Sequence, residues 1–575
     1  MAIGFRSRLA RWLPLGIAGL MLSVAGCNSN TAPPPKTTSG KTAPVAPAST
    51  AVAESACEGT LSSIDDIFKL SKLGRTTALA DGVLRLNDWQ RSCMPPGADS
   101  QPALPESILK LLTANLRTAL AEKRFTARDG EHLRDCLIAR SIAGYGIGAA
   151  RSDVDRVTEV FRHVVRAIGL VPEPLQDVPL TPYDVCLLGK GTAEDRAWLF
   201  VDTLRQLRID AVLIFPKPNE ESSKPAPSRQ PFLIGVLLDK QVYLFDSRAG
   251  VPIPAAAAES GGASPSRPAT LAQVIGDPSL LKQLDAGPDR PYAIQSADLQ
   301  HPRIAIVGDS SLWSGRMQAL QTQFVADRAM VISDPLQTDD EDHAPLWKRI
   351  VSAGGDYWNA DDVRVWDYPE TRLAAHVQLT QLQQDSLDGL MLPFRAYMNV
   401  VIENGRPVLV DRERVADRAG DKDFHPGVHI NVRMTKGEQM RARLTHLEGI
   451  FTQAIQSYTD VRLKCMEVLR ANPSPADRIM HARAKDDAVY WTGLCKFEQG
   501  EYKESAALFQ RYLKQTESAN WLRESRYLLA LSLAAAGDYA GAIAQLEPVP
   551  PDDLEYAGNR LLIRQWQAAE KRAQQ

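Results

Sequence analysis

The chain has 575 residues, of which 44% are hydrophobic, 23% charged and 7% aromatic. That is globular composition, long enough for several domains of ~100–200 residues, and it excludes collagen-like, coiled-coil and wholly disordered chains. Lys and Arg total 66 against 69 Asp and Glu, a formal charge of -3 that gives no field for phosphate backbones, so nucleic acid is not an expected ligand.

At the N-terminus, Arg6, Arg8 and Arg11 precede an apolar stretch from Trp12 to Ala25, a basic region followed by an apolar one too short for a spanning helix. It ends in Leu22-Ser23-Val24-Ala25-Gly26-Cys27, which resembles the lipobox of bacterial lipoproteins. The resemblance implies a signal peptide over 1–26, diacylglycerol on Cys27 and attachment to a membrane of the bacterial cell envelope. Several acyl chains, at ~0.8 kcal/mol per buried CH₂, hold a protein where one does not. Asn28 is not the aspartate that implies retention at the inner membrane.

Cys57, Cys93, Cys136, Cys186, Cys465 and Cys495 remain, an even count that an exported protein can use for disulfides or keep as buried thiols. No CxxC pair occurs, so zinc ribbons and thioredoxin-like chemistry have no support.

Residues 27–56 are rich in Ser, Thr, Ala, Pro and Lys, with Pro33-Pro34-Pro35, and predict an extended tether. Residues 57–150 read as helical: Ile64, Ile67, Leu70 and Leu73 recur at helical spacing, as do Ile108, Leu111, Leu112 and Leu116. In 151–260, helical patterns at Asp153–Gly169 and Ala193–Leu207 are followed by the strand-like runs Ala211–Phe215, Phe232–Leu238 and Gln241–Phe245, the last two joined by the turn Asp239-Lys240. This order predicts an α+β core.

Gly189-Lys190-Gly191-Thr192-Ala193-Glu194-Asp195-Arg196-Ala197, the helix ending in Leu204-Arg205-Gln206-Leu207, and Tyr243-Leu244-Phe245-Asp246 resemble the transglutaminase-like fold shared with papain-like thiol enzymes. In active members a Cys heads the helix, where the N-terminus lowers its pKa, and a His and an Asp on following strands complete the triad. Here Ala193 stands at the Cys position, and the His position falls near Pro231 or Phe232 in a stretch without histidine from His163 to His301. Asp246 alone matches. The resemblance therefore implies a degenerate, non-catalytic domain, with Cys186 too far from the helix head and from any local His to serve instead.

Residues 261–436 begin at a Gly/Ser/Pro-rich break and read as an α/β region of unassigned role. Ile304-Ala305-Ile306-Val307 leads into Gly308-Asp309-Ser310, which resembles the serine presentation of Gly-Asp-Ser esterases, and Asp340-Glu341-Asp342-His343 fits their Asp-x-x-His. Only 33 residues separate Ser310 from His343, where that fold needs most of a domain, so a strand followed by a helix cap is the preferred reading. His425 and His429 have metal-pair spacing, but Pro426 and Gly427 break a helix and no HExxH glutamate is present. Neither GxGxxG nor Walker A occurs, so no metal or cofactor is expected.

Residues 437–575 read as all-helical, with helices at Met440–Arg470 and Leu554–Arg572 flanking an internal repeat. Gly500 and Gly537 lie 37 residues apart, and the same offset relates Tyr490 to Tyr527, Gly493 to Ala530, Ser505 to Ala542 and Phe509 to Leu546. The pattern resembles tetratricopeptide helix pairs over Asp486 to Pro550. By that resemblance Tyr490, Phe497 and Glu498 of one unit, with Glu524 and Tyr527 of the next, line a concave face for a protein or peptide partner. The expected protein is an α+β multidomain, envelope-anchored binding or scaffolding lipoprotein, the alternative being a hydrolase or acyltransferase acting through a thiol or Ser310.

Overall fold

The computed structural model describes residues 49–70, 78–94, 106–171, 177–217, 230–256, 267–337, 344–394, 396–403, 406–411, 432–434, 438–471, 475–515 and 520–574. Cys27, Asp340, His343, His425 and His429 lie outside them. Residues 52–575 form one compact unit, so the regions read from residue 57 onward pack as one body.

Helices α1 (Ser49–Ile67) and α2 (Ala78–Cys93) are joined by a Cys57–Cys93 disulfide, while Cys136, Cys186, Cys465 and Cys495 are free and buried. The run from Ile108 to Leu116 is not one helix, because Thr113 caps a new one by accepting from the Leu116 amide. Helix α3 (Ala127–Gly146) starts in a capping box between Thr126 and Asp129. Helix α4 (Asp153–Ala167) is capped by Ser152 and turns Val157, Phe161 and Val164 into the core.

The strand β1 (Gly169–Leu170) pairs in parallel with β2 (Lys190–Gly191), with α5 (Pro182–Leu188) between them, and α6 (Ala193–Gln206) follows directly. Next come β3 (Ala211–Phe215), β4 (Leu233–Leu238), β5 (Gln241–Asp246) and β6 (Val251–Pro252). Asp239 and Lys240 both take positive φ, 49° and 61°, the two-residue hairpin geometry that matches strand twist.

A domain boundary at 260 is not supported. Strand β7 (Arg303–Ile306) pairs antiparallel with β3, and β8 (Val363–Val365) pairs parallel with β7, giving a six-stranded sheet of order β6-β5-β4-β3-β7-β8. Both faces are covered, and side chains alternate between them. Leu213, Ile234 and Phe245 join α4 and α6 in one core, while Val212, Ile214, Leu233 and Leu244 pack with Leu271, Val274 and Ile304 in another. Burial on both faces explains the unbroken apolar runs.

Helix α7 (Tyr368–Val377) packs beside α6, and β9 (Ala396–Glu403), β10 (Arg406–Asp411) and β11 (Val432–Met434) form a separate sheet of order β10-β9-β11. The remainder is helical: α8 (Glu438–Leu447), α9 (Phe451–Arg470), α10 (Pro475–Glu498), α11 (Tyr502–Gln515), α12 (Leu522–Ala535), α13 (Tyr539–Leu546) and α14 (Tyr556–Gln574). The predicted helix Met440–Arg470 is broken at Gly449, where φ is 77°. No helix among the described residues is long and apolar enough to cross a membrane.

Candidate functional site

The head of α6 is a capping box: Thr192 Oγ1 accepts from the Asp195 amide at 3.1 Å, and Asp195 Oδ2 accepts from the Thr192 amide at 2.8 Å. Tyr368 of α7 donates to Asp195 Oδ1 at 2.9 Å, fixing this turn from the side. Ala193 sits within it, buried and without a nucleophilic atom.

The end of β5 lies against that turn, since Arg196 Nη1 donates to the Ser247 carbonyl at 3.0 Å and Arg248 pairs with Glu194 at 3.8 Å. Asp246 is fully engaged. Its Oδ1 accepts from the amides of Arg248 and Ala249 at 2.7 and 2.9 Å, and its Oδ2 from the Tyr292 hydroxyl, whose pKa is raised by burial and by this carboxylate. Because Ile234 pairs with Phe245, the register places Leu233 of β4 opposite Asp246, with Phe232 just before the strand, both buried and apolar. The arrangement holds a turn; it offers no thiol and no imidazole.

Cys186 is buried in α5, and burial pushes its thiol up to about 12. Ser310 is 1% exposed, with its amide donating to Glu370 Oε2 at 3.1 Å. Its neighbour Asp309 makes a contact that sequence reading missed. Asp309 Oδ2 lies 3.1 Å from His132 Nδ1, while His132 Nε2 lies 2.9 Å from the Ile332 carbonyl and 3.5 Å from Cys136 Sγ. The row Cys136, His132, Asp309 has the order of a thiol triad. A carbonyl only accepts, however, so Nε2 must carry a proton and cannot serve as base towards Cys136. Burial disfavours the charged ring, but Asp309 outweighs it and holds His132 well above its ordinary pKa; Asp309, despite burial, is held down to about 2. Burial raises the Cys136 thiol. The cluster is a buried ion pair, and no spacing in the sequence announces it. Among the described residues no group of three or more His, Cys, Asp or Glu is placed to hold a metal ion.

In the helical region, Gly493 of α10 faces Phe509 of α11 so closely that a Cβ would come within 2.7 Å of its ring. Ser505 Oγ donates to the Gly493 carbonyl at 2.9 Å and meets Ser532 Oγ of α12 at 3.0 Å, so small side chains let successive helices touch. Leu546 of α13, Val549 of the connection that follows it, and Ile563 and Trp566 of α14 close the end of the stack.

The five side chains expected to face a partner do not form an open groove, because the chain's own core lies on them. Tyr490 is fully buried, its ring stacked on Trp521 with centroids 4.0 Å apart. Glu498 accepts from Arg166 Nε at 3.0 Å and stands 3.2 Å from His163 Nδ1, both on α4. Burial alone would raise its pKa, but the Arg166 guanidinium, with His163 beside it, prevails and holds it below the usual carboxylate range. Phe497 lies under the Arg166 guanidinium, 5.0 Å from its ring centre. Glu524 is buried 3.8 Å from Lys190 of β2, whose ammonium stands 4.4 Å from the Trp521 ring centre. Tyr527 is half-buried, and burial raises its hydroxyl to about 12. The match of acids to bases is the physical reason for the closure: Glu498 and Glu524 meet Arg166, His163 and Lys190.

Two further arginines complete the contact. Arg443 of α8 donates from Nη2 to the Cys186 carbonyl at 2.6 Å and lies 3.6 Å from the Trp491 ring centre, capping the C-terminal end of α5. Arg196 Nη2 donates to Glu555 Oε1 at 2.6 Å.

Residues 475–549, spanning α10 to α13, match the family described as anaphase-promoting complex, cyclosome, subunit 3. No curated protein and no solved structure matches the chain. With the helix pairing above, the match defines the C-terminal region as tetratricopeptide-like repeats, a class that mediates contacts between proteins.

Proposed function

We propose that this chain is a non-catalytic, lipid-anchored protein of the bacterial cell envelope that binds or scaffolds other proteins, built on a degenerate transglutaminase-like core. The tetratricopeptide-like repeat carries the reading, since such helix pairs are interaction modules. Ala193 at the head of α6 and Asp246 spent on its own turn and on Tyr292 support a core without catalysis, because nothing there attacks a carbonyl or moves a proton. The apolar leader ending at Cys27 and the Cys57–Cys93 disulfide support export, since structural disulfides are rare where thiols are kept reduced.

The experiment follows the full-length protein in cells. It should fractionate with membranes and incorporate palmitate, with Cys27→Ala abolishing both, and cross-linking on intact cells should join it to defined protein partners. Thiol and serine activity probes should leave Cys186 and Ser310 unlabelled. An unlipidated soluble product refutes the anchor, site-specific labelling refutes the non-catalytic reading, and an absence of cross-linked partners refutes the binding role.

A further inference from the structure

With its inner face on the core, the repeat has another side to offer. Between α9, α10 and α11 runs an open groove of about 250 Å³. Val489, Leu508 and Tyr512 lend it an apolar floor, and Arg462, Lys485 and Arg511 carry positive charge along it. Lys485 stands 3.6 Å from the Asp486 carboxylate, whereas among the described residues no carboxylate pairs with Arg462 or Arg511. Arg462 is half-buried on α9 and Arg511 exposed on α11, so one guanidinium flanks each side of α10.

Two features decide the kind of occupant. The volume falls below the ~300–1,000 Å³ of pockets that enclose small ligands, and the groove is open, which suits part of a longer chain. The guanidinium fork matches carboxylate geometry, and two such forks across an apolar floor select a side chain of one kind between two of the other. We infer that the groove docks an extended acidic peptide segment of a partner protein, with an apolar side chain on Val489, Leu508 and Tyr512 and flanking carboxylates on Arg462 and Arg511. The inference rests on the protein-binding reading and names the surface and chemistry through which it acts.

The test uses the full chain in detergent and a fluorescent short peptide alternating glutamate and leucine, followed by anisotropy. Binding should be saturable, weaken as salt rises, and be absent for the lysine–leucine counterpart. Inorganic phosphate in excess should displace the peptide only as added salt does. Arg462→Glu with Arg511→Glu should lower affinity about tenfold or more, Arg462→Lys with Arg511→Lys should retain part of it, and circular dichroism should not change. A photoreactive version should label residues within 458–515. No binding, unchanged affinity after charge reversal, or labelling elsewhere overturns the proposal. If cross-linked partners persist undiminished in the charge-reversed protein, the groove is refuted and the binding role stands. If the peptide binds as described but no partner is ever cross-linked, the opposite holds.

Discussion

Arg196, in the first turn of α6, and Glu555, just before α14, form an ion pair of 2.6 Å between side chains only 2% and 8% exposed. The same guanidinium donates to the carbonyls of Ile168, Ser247 and Val165 at 2.7, 3.0 and 3.3 Å, so a single side chain ties the sheet, α4 and the C-terminal helices together. The repeat is therefore part of the body's interior and not an appended arm.

Removing one partner of a buried pair leaves an uncompensated charge, which costs about 3–5 kcal/mol. Glu555→Ala should lower the urea midpoint accordingly. Arg196→Met should cost more, because it also strands three buried carbonyls. A smaller loss for Arg196→Met than for Glu555→Ala, by equilibrium unfolding, would contradict this division of roles.

Gly189 ends α5 with φ 63°, and a Cβ there would collide with the Trp491 ring. Gly148 has φ 52° and open space where its Cβ would be. Gly148→Ala should therefore cost only the backbone strain, about 1 kcal/mol, and Gly189→Ala at least about 1 kcal/mol more because the repeat must shift. Equal shifts in melting temperature would mean that Trp491 does not press on this turn.

The His132–Asp309 pair sets a pH dependence. Asp309 is depressed to about 2, so its contribution is present above the ordinary carboxylate pKa of about 4 and lost as pH falls towards 2. His132 is raised, so its contribution is present below its ordinary value and lost as pH climbs through the raised one. Asp309→Asn should cost about 3 kcal/mol near pH 6, and the gap from wild type should narrow below pH 4. A gap independent of pH from 2 to 6, measured by urea unfolding, would show that the pair is not ionised.

Local order was readable along the chain wherever near neighbours decide it. The alternation of Val212, Leu213 and Ile214 between two cores, the Asp239-Lys240 hairpin, and Gly493 set against Phe509 all follow from spacing and side-chain size. What spacing does not encode is which distant surface an amphipathic face will meet. Glu498 finds Arg166 from 332 residues away, and Tyr490, an apparent groove aromatic, is stacked inside on Trp521. The strand Arg303–Ile306 reads as part of a separate region beginning at 261 because its partner, Ala211–Phe215, precedes a long excursion of the chain. His132 gave no signal, since one imidazole on a helix looks the same whether it meets water or a buried carboxylate.

Hydrogen exchange on the intact protein tests the central claim, that the repeat's inner face is held by the chain's own core. Segments 163–171 and 186–191 of the core and 487–498 and 522–527 of the repeat should exchange slowly and together. Glu498→Ala should speed all four, because it leaves the Arg166 guanidinium without its counter-charge. Fast exchange confined to 487–527 in the wild type, or acceleration of α10 alone in the variant, would show a repeat that opens independently and contradict the account.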